Sequence, residues 1–475
     1  MAAIESDIIE MYRCVHDPDL ESIKNSTPSR DVDTTSIKNS LPDVKPSEDV
    51  ESLPMDVTAH NSVNNSTDAL EISEVPDGGY GWVIVAACSV IRSFSVGLVY
   101  SWGVIQARLT ASHLAPDGTL SFVGSSAASF ISFGAFANAH IIRRLGTRNA
   151  ALLACNFLGG GQVLSGWSTR SVGGLFVTNG VVMGFGVGLA FLTCSALPAQ
   201  YFLRRRGLAN GFVYAGGGIG GGVWTLAINA LIDRVGVPWT FLILGFITLA
   251  MTLPAAMLLK ERTRRAPARI EWRLFLDWKF VLLFVGSGIG TFPLLVPPFF
   301  IPLYAASLHA SALLASVLLA VFNLSSAVGR IGFGVLCDQI GPITSLGLAL
   351  ALTALSMLAI WPVSTSMAPL GVFIVLNGVG NGGFFSVVPS VVANVYGQAR
   401  VANALAMVIS GWASGYLLGA PIAGWILGAY GGSEAGRAAF RPAIYFAGSL
   451  AFVSAVLIFA MRQVAVKRWS LTAFA

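Results

Sequence analysis

The sequence is poor in charged residues. Only 11% of its 475 residues are Asp, Glu, Lys or Arg, whereas soluble domains carry about 25%. Hydrophobic residues make up 54% of the chain, and its mean hydropathy is +0.70. This shortage of charge excludes an ordinary soluble domain for the bulk of the chain and predicts a polytopic membrane protein.

The residues that form catalytic and metal sites are also scarce and scattered. The five cysteines and five histidines show no spacing typical of a metal site or a disulfide framework. No Ser/His/Asp set or carboxylate pair is expected to converge in the bilayer, so we expect neither an enzyme nor a bound cofactor. The first 75 residues lack an apolar core of the length that a cleavable signal peptide requires.

Charge is divided sharply along the chain. Residues 1 to 75 hold five basic and sixteen acidic residues, a net charge of −11, and the remainder carries +16. The first part is rich in Ser, Thr, Asp, Asn and Pro, and buries too little apolar surface to offset the entropy of ordering. We therefore predict a disordered acidic tail over 1 to 75.

The rest of the chain contains about 12 apolar segments of spanning length. They lie at roughly 81 to 105, 120 to 142, 149 to 167, 172 to 197, 207 to 231, 238 to 259, 280 to 303, 311 to 336, 343 to 362, 369 to 394, 402 to 428 and 442 to 462. This predicts an all-α membrane protein with two pseudo-symmetric six-helix bundles, 76 to 259 and 280 to 465. A basic loop, 260 to 279, joins them, and 466 to 475 form a short tail. Such duplication is typical of transporters.

The distribution of basic residues predicts the orientation. Seventeen Lys and Arg residues fall in loops or ends on the same side as the N-terminus, and five fall on the other side. Basic residues concentrate on the cytosolic side of membrane proteins, so both termini are predicted to be cytosolic. These residues lie in short loops between apolar segments, which argues against a role in nucleic-acid binding.

Glycine and proline predict close packing and a broken helix. The runs Gly216 to Gly222 and Gly378 to Gly383 lie in apolar segments without the strand that a dinucleotide site requires. They favour close helix packing instead, and we expect no nucleotide-binding domain or ATPase subunit. The seventh segment should break near its outer end, as a gate or a static kink, at the prolines Pro293, Pro297, Pro298 and Pro302.

Two loops at matching places resemble a known pattern. Gly334-Val335-Leu336-Cys337-Asp338-Gln339-Ile340-Gly341 is similar to the G-x-L-x-D-x-x-G loop of the major facilitator superfamily. The loop between segments two and three, with Arg143, Arg144 and Arg148, has the same place in the first half. The resemblance implies a conformational gate on the inward side, made by the residues Asp338, Gly341, Arg143, Arg144 and Arg148.

Two further motifs resemble signatures of the monocarboxylate porter family, within that superfamily. The first is Asp77-Gly78-Gly79-Tyr80-Gly81-Trp82. The second, before segment five, is carried by Tyr201, Phe202, Arg204, Arg205, Ala209 and Gly211. The long acidic tail and glycine-rich helices are more similar to the fungal branch. The resemblance implies a secondary transporter in the plasma membrane.

Arg92 and Arg330 are cations inside spanning segments with no acidic residue in the segments to neutralise them. A charge at that depth costs about 2.5 to 3.5 kcal/mol, so it indicates a functional site. Either arginine could bind a substrate carboxylate through its fork, or brace helices through carbonyls and waters. Polar and aromatic candidates that could complete the site are Tyr100, Asn179, Asn323 and Asn377.

Two departures from the family bear on mechanism. The lysine late in helix one of animal lactate porters falls here at about Tyr100, and the aspartate four residues before the helix-eight arginine is Ser326. Both argue against proton coupling of the animal type. We therefore expect efflux of a small organic anion or weakly acidic metabolite. Proton-linked uptake of a monocarboxylate is the alternative, and a membrane sensor without transport is the second.

The predicted orientation is testable through the glycosylation sequons at Asn25, Asn64 and Asn65. A cytosolic tail never meets the glycosylation machinery, so these sites should stay unmodified. Digestion of the purified protein with an amidase that removes N-linked glycans should leave its electrophoretic mobility unchanged. A faster-migrating product that disappears in the triple Asn→Gln variant would contradict the orientation.

Overall fold

The computed structural model describes residues 78–202, 206–262, 272–396 and 401–466. The predicted tail over 1 to 75, most of the short C-terminal tail and the middle of the basic loop lie outside these ranges. The signature residues Asp77, Arg204 and Arg205 also lie outside them. Within the described ranges the regular structure is helical throughout.

Fifteen α-helices follow one another in the described part of the chain. They are α1 Tyr80–Tyr100, α2 Trp102–Ala111, α3 Asp117–Phe133, α4 Ala135–Ser168, α5 Val172–Leu175, α6 Gly184–Ala196, α7 Arg206–Met257, α8 Trp278–Gly290, α9 Val296–Ser307, α10 Ala312–Ile340, α11 Pro342–Leu355, α12 Met367–Tyr396, α13 Val401–Gly411, α14 Ala413–Ala429 and α15 Arg441–Val466. Two π-helical stretches, Phe176–Met183 and Ser356–Ile360, continue α5 and α11.

Apolar sequence and local caps explain why these segments are helical. In a bilayer every backbone group needs a partner inside the protein, and a helix supplies it within one segment. Side chains cap some of the helix starts. Ser311 accepts a bond of 3.2 Å from the Leu314 N–H at the start of α10, and Asp277 accepts one of 3.0 Å from the Lys279 N–H before α8.

Eight helical stretches in the described ranges are long and apolar enough to cross a membrane. The pair α3 and α4, bent by 61°, adds a ninth if counted as one span, and α8 and α9 are shorter apolar helices. The chain is thus a multi-pass all-α protein. Two of these long stretches contain a residue with non-helical backbone angles, Gly146 in α4 and Gly236 in α7.

The chain reverses direction at Gly236. Tyr80 and Arg108 lie near opposite ends of the stretch formed by α1 and α2. We call the end at Tyr80 the basic end and the end at Arg108 the far end. Asp233 pairs with Arg108 at the far end, whereas the Leu258 carbonyl accepts a bond of 2.8 Å from the Tyr80 hydroxyl at the basic end. The chain from Gly236 to Leu258 must therefore run back along the bundle. Positive φ, which glycine tolerates, makes this turn (φ +77°).

Gly146, with φ +78°, makes a similar turn at the basic end. The Thr147 N–H lies 3.4 Å from Glu261 Oε2 there, and Gly166, further along α4, packs against Pro238 near the far end. These reversals give α4 and α7 two directions each. The count of twelve crossings remains a prediction, and the reversals favour it.

The proline-rich seventh segment is broken, but not where the sequence predicted. Residues 291–295 form a turn between α8 and α9, near the middle of the segment rather than near its outer end. Pro297 and Pro298 lie in the first turn of α9, where a missing N–H costs nothing, and Pro302 is tolerated inside α9. Only Pro293 lies within the break.

Glycine allows the helices to approach one another closely, as the sequence predicted. A Cβ on Gly218 of α7 would lie 2.8 Å from the Asn323 carbonyl oxygen of α10, and one on Gly382 of α12 would overlap the carbonyl oxygen of Ser326. These distances are too short for any side chain. The far end is packed in the same way, with Gly103 against Pro298 and Gly118 against Trp425.

We predict that Gly382→Ala destabilises the protein and Gly371→Ala does not. Both glycines lie in α12, but a Cβ on Gly371 meets nothing within 4 Å. Forcing α10 and α12 apart should cost about 1–3 kcal/mol, whereas Ala at position 371 gains helix propensity of up to about 1 kcal/mol. Thermal unfolding in detergent, followed by a thiol-reactive dye at the buried free cysteines, measures the difference. Equal unfolding temperatures would contradict the packing described.

Candidate functional site

Arg92 of α1 is buried in the helical bundle, with 1% of its surface exposed. Its Nη2 donates a hydrogen bond of 2.7 Å to Ser195 Oγ of α6. The guanidinium carbon lies 3.9 Å from the ring centroid of Phe191 and 4.5 Å from that of Tyr214. Both distances are within the range of cation–π attraction, so two aromatic faces replace part of the lost hydration.

Arg330 of α10 has a similar environment and is 2% exposed. Its Nη1 donates a hydrogen bond to the backbone carbonyl of Tyr214 in α7. Its guanidinium carbon lies 5.8 Å from the Tyr100 ring centroid and 5.4 Å from that of Phe385. Gly217 leaves space for this group, since a Cβ there would lie 3.1 Å from Nη1.

Tyr214 connects the two arginines. Its carbonyl accepts from Arg330, its ring lies over Arg92, and its hydroxyl donates to Ser195 Oγ at 3.2 Å. A single residue of α7 therefore contacts cations from α1 and α10, which belong to the two predicted halves of the chain.

A narrow cavity lies between these side chains, and the 420 Å³ or so of space between its atoms includes space open to solvent. We call it the central cavity. Its charged and aromatic lining consists of Arg92, Arg330, Tyr100, Tyr214, Tyr416, Phe191 and Phe385. The rest of the lining is aliphatic or small: Val96, Val99, Ala128, Ile131, Val187, Gly217 and Leu295. Both predicted halves contribute residues to this lining, so the cavity lies at the interface between them. Transporters built from two repeats bind their substrates at that interface.

The positive charge of the central cavity is not neutralised by the described protein. No Asp or Glu lines it, and the Nε–H groups of Arg92 and Arg330 are buried without a hydrogen-bond partner among the described residues. Buried donors without partners are costly. The two guanidinium groups can bind an anion between them, and each offers it an unused Nε–H group.

A second cavity, the basic-end cavity, adjoins the first because it shares Tyr214 and Arg330 with it. Its lining is more polar and includes Asn210, Ser386, Ser390 and Asp338. This cavity gives the site open space on its basic side, whereas Gly103 and Gly118 pack tightly against Pro298 and Trp425 at the far end.

The predicted gate is not engaged as an ion pair in this structure. Asp338 lies in the basic-end cavity, and none of Arg143, Arg144 and Arg148 is within ion-pair distance of it in the described part of the chain. Arg143 instead lies 3.2 Å from His140. Gly341 ends α10 with φ +86°. The gate remains a prediction for another conformation.

The three asparagines predicted to line the site lie away from the central cavity. Asn179 lines another cavity, which is built within residues 98 to 244 and shares only Val99 with the central cavity. Asn377 donates to Ser356 Oγ at 2.9 Å, and Asn323 donates to Thr225 Oγ1 at 3.4 Å. The amides of Asn377 and Asn323 thus connect neighbouring helices. Tyr100, by contrast, lies beside Arg330 and lines the central cavity.

The two signatures pack against each other at the basic end. Gly81 faces Tyr201 and Phe202, with a Cβ position 2.8 Å from the Phe202 ring, and the rings of Trp82 and Phe202 are 5.0 Å apart. The Tyr201 hydroxyl donates to the Lys260 carbonyl at 2.9 Å. The described signature residues Gly78, Gly79, Ala209 and Gly211 also lie outside the central cavity. The signatures thus form a structural joint.

Sequence reasoning missed four residues of the site: Tyr214, Phe191, Ser195 and Phe385. Apart from Phe385, these residues contact the arginines from 99 or more positions away along the chain. Aromatic residues that face a cavity and those that face lipid look alike in an apolar segment, so no sequence signal separated them. In the described residues no three metal-ligating side chains converge.

Comparison with known proteins gives the following matches. The family model described as Major Facilitator Superfamily matches residues 82–304 and 280–472. The chain is 26% identical to MFS-type transporter 1 of Ophiocordyceps sp. over 68% of this chain and 73% of that one. It is 26% identical to the aspyridones efflux protein apdF of Emericella nidulans (84% and 82%) and 25% identical to monocarboxylate transporter 13 of Bos taurus (74% and 84%).

Solved structures share the fold. The nucleoside transporter NupG superposes with a TM-score of 0.64 at 12% identity, over 80% of this chain and 99% of that one. A bacterial homologue of the lysosomal transporter Spinster, described as inward-facing and unoccupied, gives 0.62 at 15% identity, over 83% and 100%. At these identities the similarity concerns the fold alone.

We predict that Tyr214→Ala lowers the unfolding temperature clearly more than Tyr214→Phe. The phenylalanine variant keeps the ring over Arg92 and the carbonyl that binds Arg330, and loses one hydroxyl bond, about 0.5–1.5 kcal/mol. The alanine variant removes the ring, which should cost about 2–4 kcal/mol. Thiol-dye unfolding measures both. Equal losses would show that the ring does not support Arg92.

Proposed function

This chain belongs to the major facilitator superfamily of membrane transporters, and we propose that it exports a small organic anion or weakly acidic metabolite by alternating access. The observation that carries the proposal is the pair Arg92 and Arg330. Both are buried between the predicted halves, both have an unpartnered Nε–H, and no carboxylate lines their cavity. A substrate anion would supply the missing charge.

The mechanism that we propose is an exchange of ligands at Arg330. Without substrate, its Nη1 bonds to the Tyr214 carbonyl of α7. A carboxylate or enolate is a better acceptor for this guanidinium than a neutral carbonyl, because it adds an opposite charge and can accept two parallel N–H bonds. An entering anion would take over this guanidinium and loosen a bond between the predicted bundles 76 to 259 and 280 to 465. The bundles would then be free to rock.

The direction of transport is inferred from orientation and from relatives. The basic end would be cytosolic by the distribution of Lys and Arg, with both termini on that side. The less tightly packed side of the site would then face the cytosol, where a cellular product would enter. The fungal relative named for efflux of aspyridones supports export. We place the protein in the cell membrane on the same reasoning.

Membership of the monocarboxylate porter branch is part of the proposal. It is supported by the paired packing of the two signatures, Gly81 against Phe202, and by the similarity to monocarboxylate transporter 13. Uptake of a monocarboxylate with a proton is the alternative. Ser326, at the position of the family's aspartate, is buried with a hydroxyl that has no partner among the described residues. It cannot carry a proton as a carboxylate does, which favours export without animal-type coupling.

The gate residues keep their proposed role in the opposite conformation. When the basic end closes, Asp338 and Gly341 of one half would approach Arg143, Arg144 and Arg148 of the other. An ion pair formed there would stabilise the state that opens outward.

Untargeted metabolite profiling of cells and medium tests the function. We compare the native host, a strain lacking the gene, and strains that carry Arg330→Ala or the matched variant Arg170→Ala. Arg170 is exposed near the far end. We expect one acidic metabolite to accumulate in cells and to fall at least about tenfold in the medium, in the deletion strain and in Arg330→Ala only.

Other outcomes would reassign the protein. A supplied carboxylate that stays outside both mutant strains would indicate uptake. Unchanged metabolite distributions, together with a signalling defect on removal of residues 1 to 75, would indicate the sensor. A defect of equal size in Arg170→Ala would contradict the role of Arg330.

A further inference from the structure

Apart from the two arginines and three tyrosine hydroxyls, the side chains that line the central cavity are apolar, and five of them carry aromatic rings. Phe191 and Tyr214 lie against Arg92, Tyr100 and Phe385 lie near Arg330, and Tyr416 is the fifth ring. No Asn, Gln, Ser, Thr or His is among the fourteen described residues that line it. A sugar or another hydroxyl-rich molecule would lose its hydration there and find few partners in return.

The charge of the cavity selects against ammonium groups. Two guanidinium groups face it, and the described lining contains no carboxylate. An amino acid would bring its own ammonium within a few ångströms of Arg92 or Arg330, in a medium that screens charge poorly. A cation or a zwitterion should therefore bind less well than the corresponding simple anion.

The unused N–H donors of the two arginines favour an anion with delocalised charge. Arg92 uses Nη2 for Ser195, Arg330 uses Nη1 for the Tyr214 carbonyl, and both Nε–H groups lack a partner among the described residues. A carboxylate or an enolised β-dicarbonyl presents two in-plane oxygens that match such N–H groups. The body attached to it would then lie among the rings of the narrow cavity, where a flat conjugated system stacks and a puckered one does not.

We propose that the ligand of the central cavity is a flat, conjugated monoanion without an ammonium group, held by Arg92 and Arg330 and stacked among the cavity rings. This rests on the proposed function and narrows it, because it specifies the body of the substrate as well as its acidic group. It sets lactate-like and amino-acid-like molecules apart from conjugated acids such as aryl carboxylates.

Matched probe pairs test each part of the proposal. Dissociation constants are measured by calorimetry on the full-length protein in nanodiscs. The pair 2-naphthoate and decahydro-2-naphthoate isolates flatness, 2-naphthoate and 2-naphthalenemethanol isolate charge, and 3-phenylpropanoate and phenylalanine isolate the ammonium group. We expect naphthoate to bind about three- to tenfold more tightly than its saturated analogue. The alcohol and phenylalanine should each bind at least about tenfold more weakly than their partners.

Variants connect the binding to the cavity. Arg330→Lys keeps the charge but loses the planar fork, so naphthoate should bind at least about tenfold more weakly, while Arg170→Lys leaves the constant unchanged. Thermal unfolding of Arg330→Lys in the same nanodiscs controls for loss of fold, and a variant that unfolds early is replaced by Phe385→Leu, which removes one ring.

Each contrary result overturns the proposal. If the saturated analogue binds equally well, the cavity does not require a flat ligand. If phenylalanine binds equally well, the cavity does not exclude an ammonium group. If no probe binds up to millimolar concentration, conjugated monoanions are not ligands of the cavity. Metabolite profiling is independent of these probes. An Arg330-dependent acidic metabolite without naphthoate binding would therefore refute this inference and leave the proposed function standing.

Discussion

The structure depends on how two guanidinium charges are kept in the interior of a membrane protein without a carboxylate beside them. Such a charge costs several kcal/mol unless other groups replace its water. Here the replacement consists of ring faces, one serine hydroxyl and one backbone carbonyl, contributed by helices from both halves of the chain. These groups stabilise the cations only in part. The remaining deficit supports the proposed binding of an anion in the central cavity.

Backbone contact through glycine determines where the helices around this site can lie. Gly218 against Asn323, Gly382 against Ser326 and Gly103 against Pro298 bring main chains together without side chains between them. Small residues allow helix backbones to approach this closely. The close approach of these helices therefore depends on the absence of side chains at these three glycines.

Much of the fold could be predicted from the sequence, because apolar segment length, loop charge and glycine runs are local properties. The helical, multi-pass character of the chain was predicted in this way, and Arg92 and Arg330 were singled out by their charge, although Pro297 and Pro298 suggested that the seventh segment breaks further out. The site was harder. Tyr214 contacts Arg92 and Arg330 from more than 100 residues away in the chain, and Asn179 and Asn377, which occupy matching positions, turned out to face other helices. Side-chain direction within an apolar helix depends on packing that the sequence pattern does not encode.

The joint between the two signatures has a consequence for biosynthesis. Gly81 and Trp82 are made early, yet their partner Phe202 and the Lys260 carbonyl that Tyr201 binds emerge from the ribosome 120 to 180 residues later. The first helix must therefore wait in the membrane with its basic end unpaired until the whole first half has been inserted. Completion of the joint then marks the point at which that half can close on itself, before most of the second half has been synthesised. A substitution at Gly81 would act on the yield of assembled protein, and not on the affinity of protein that has already folded.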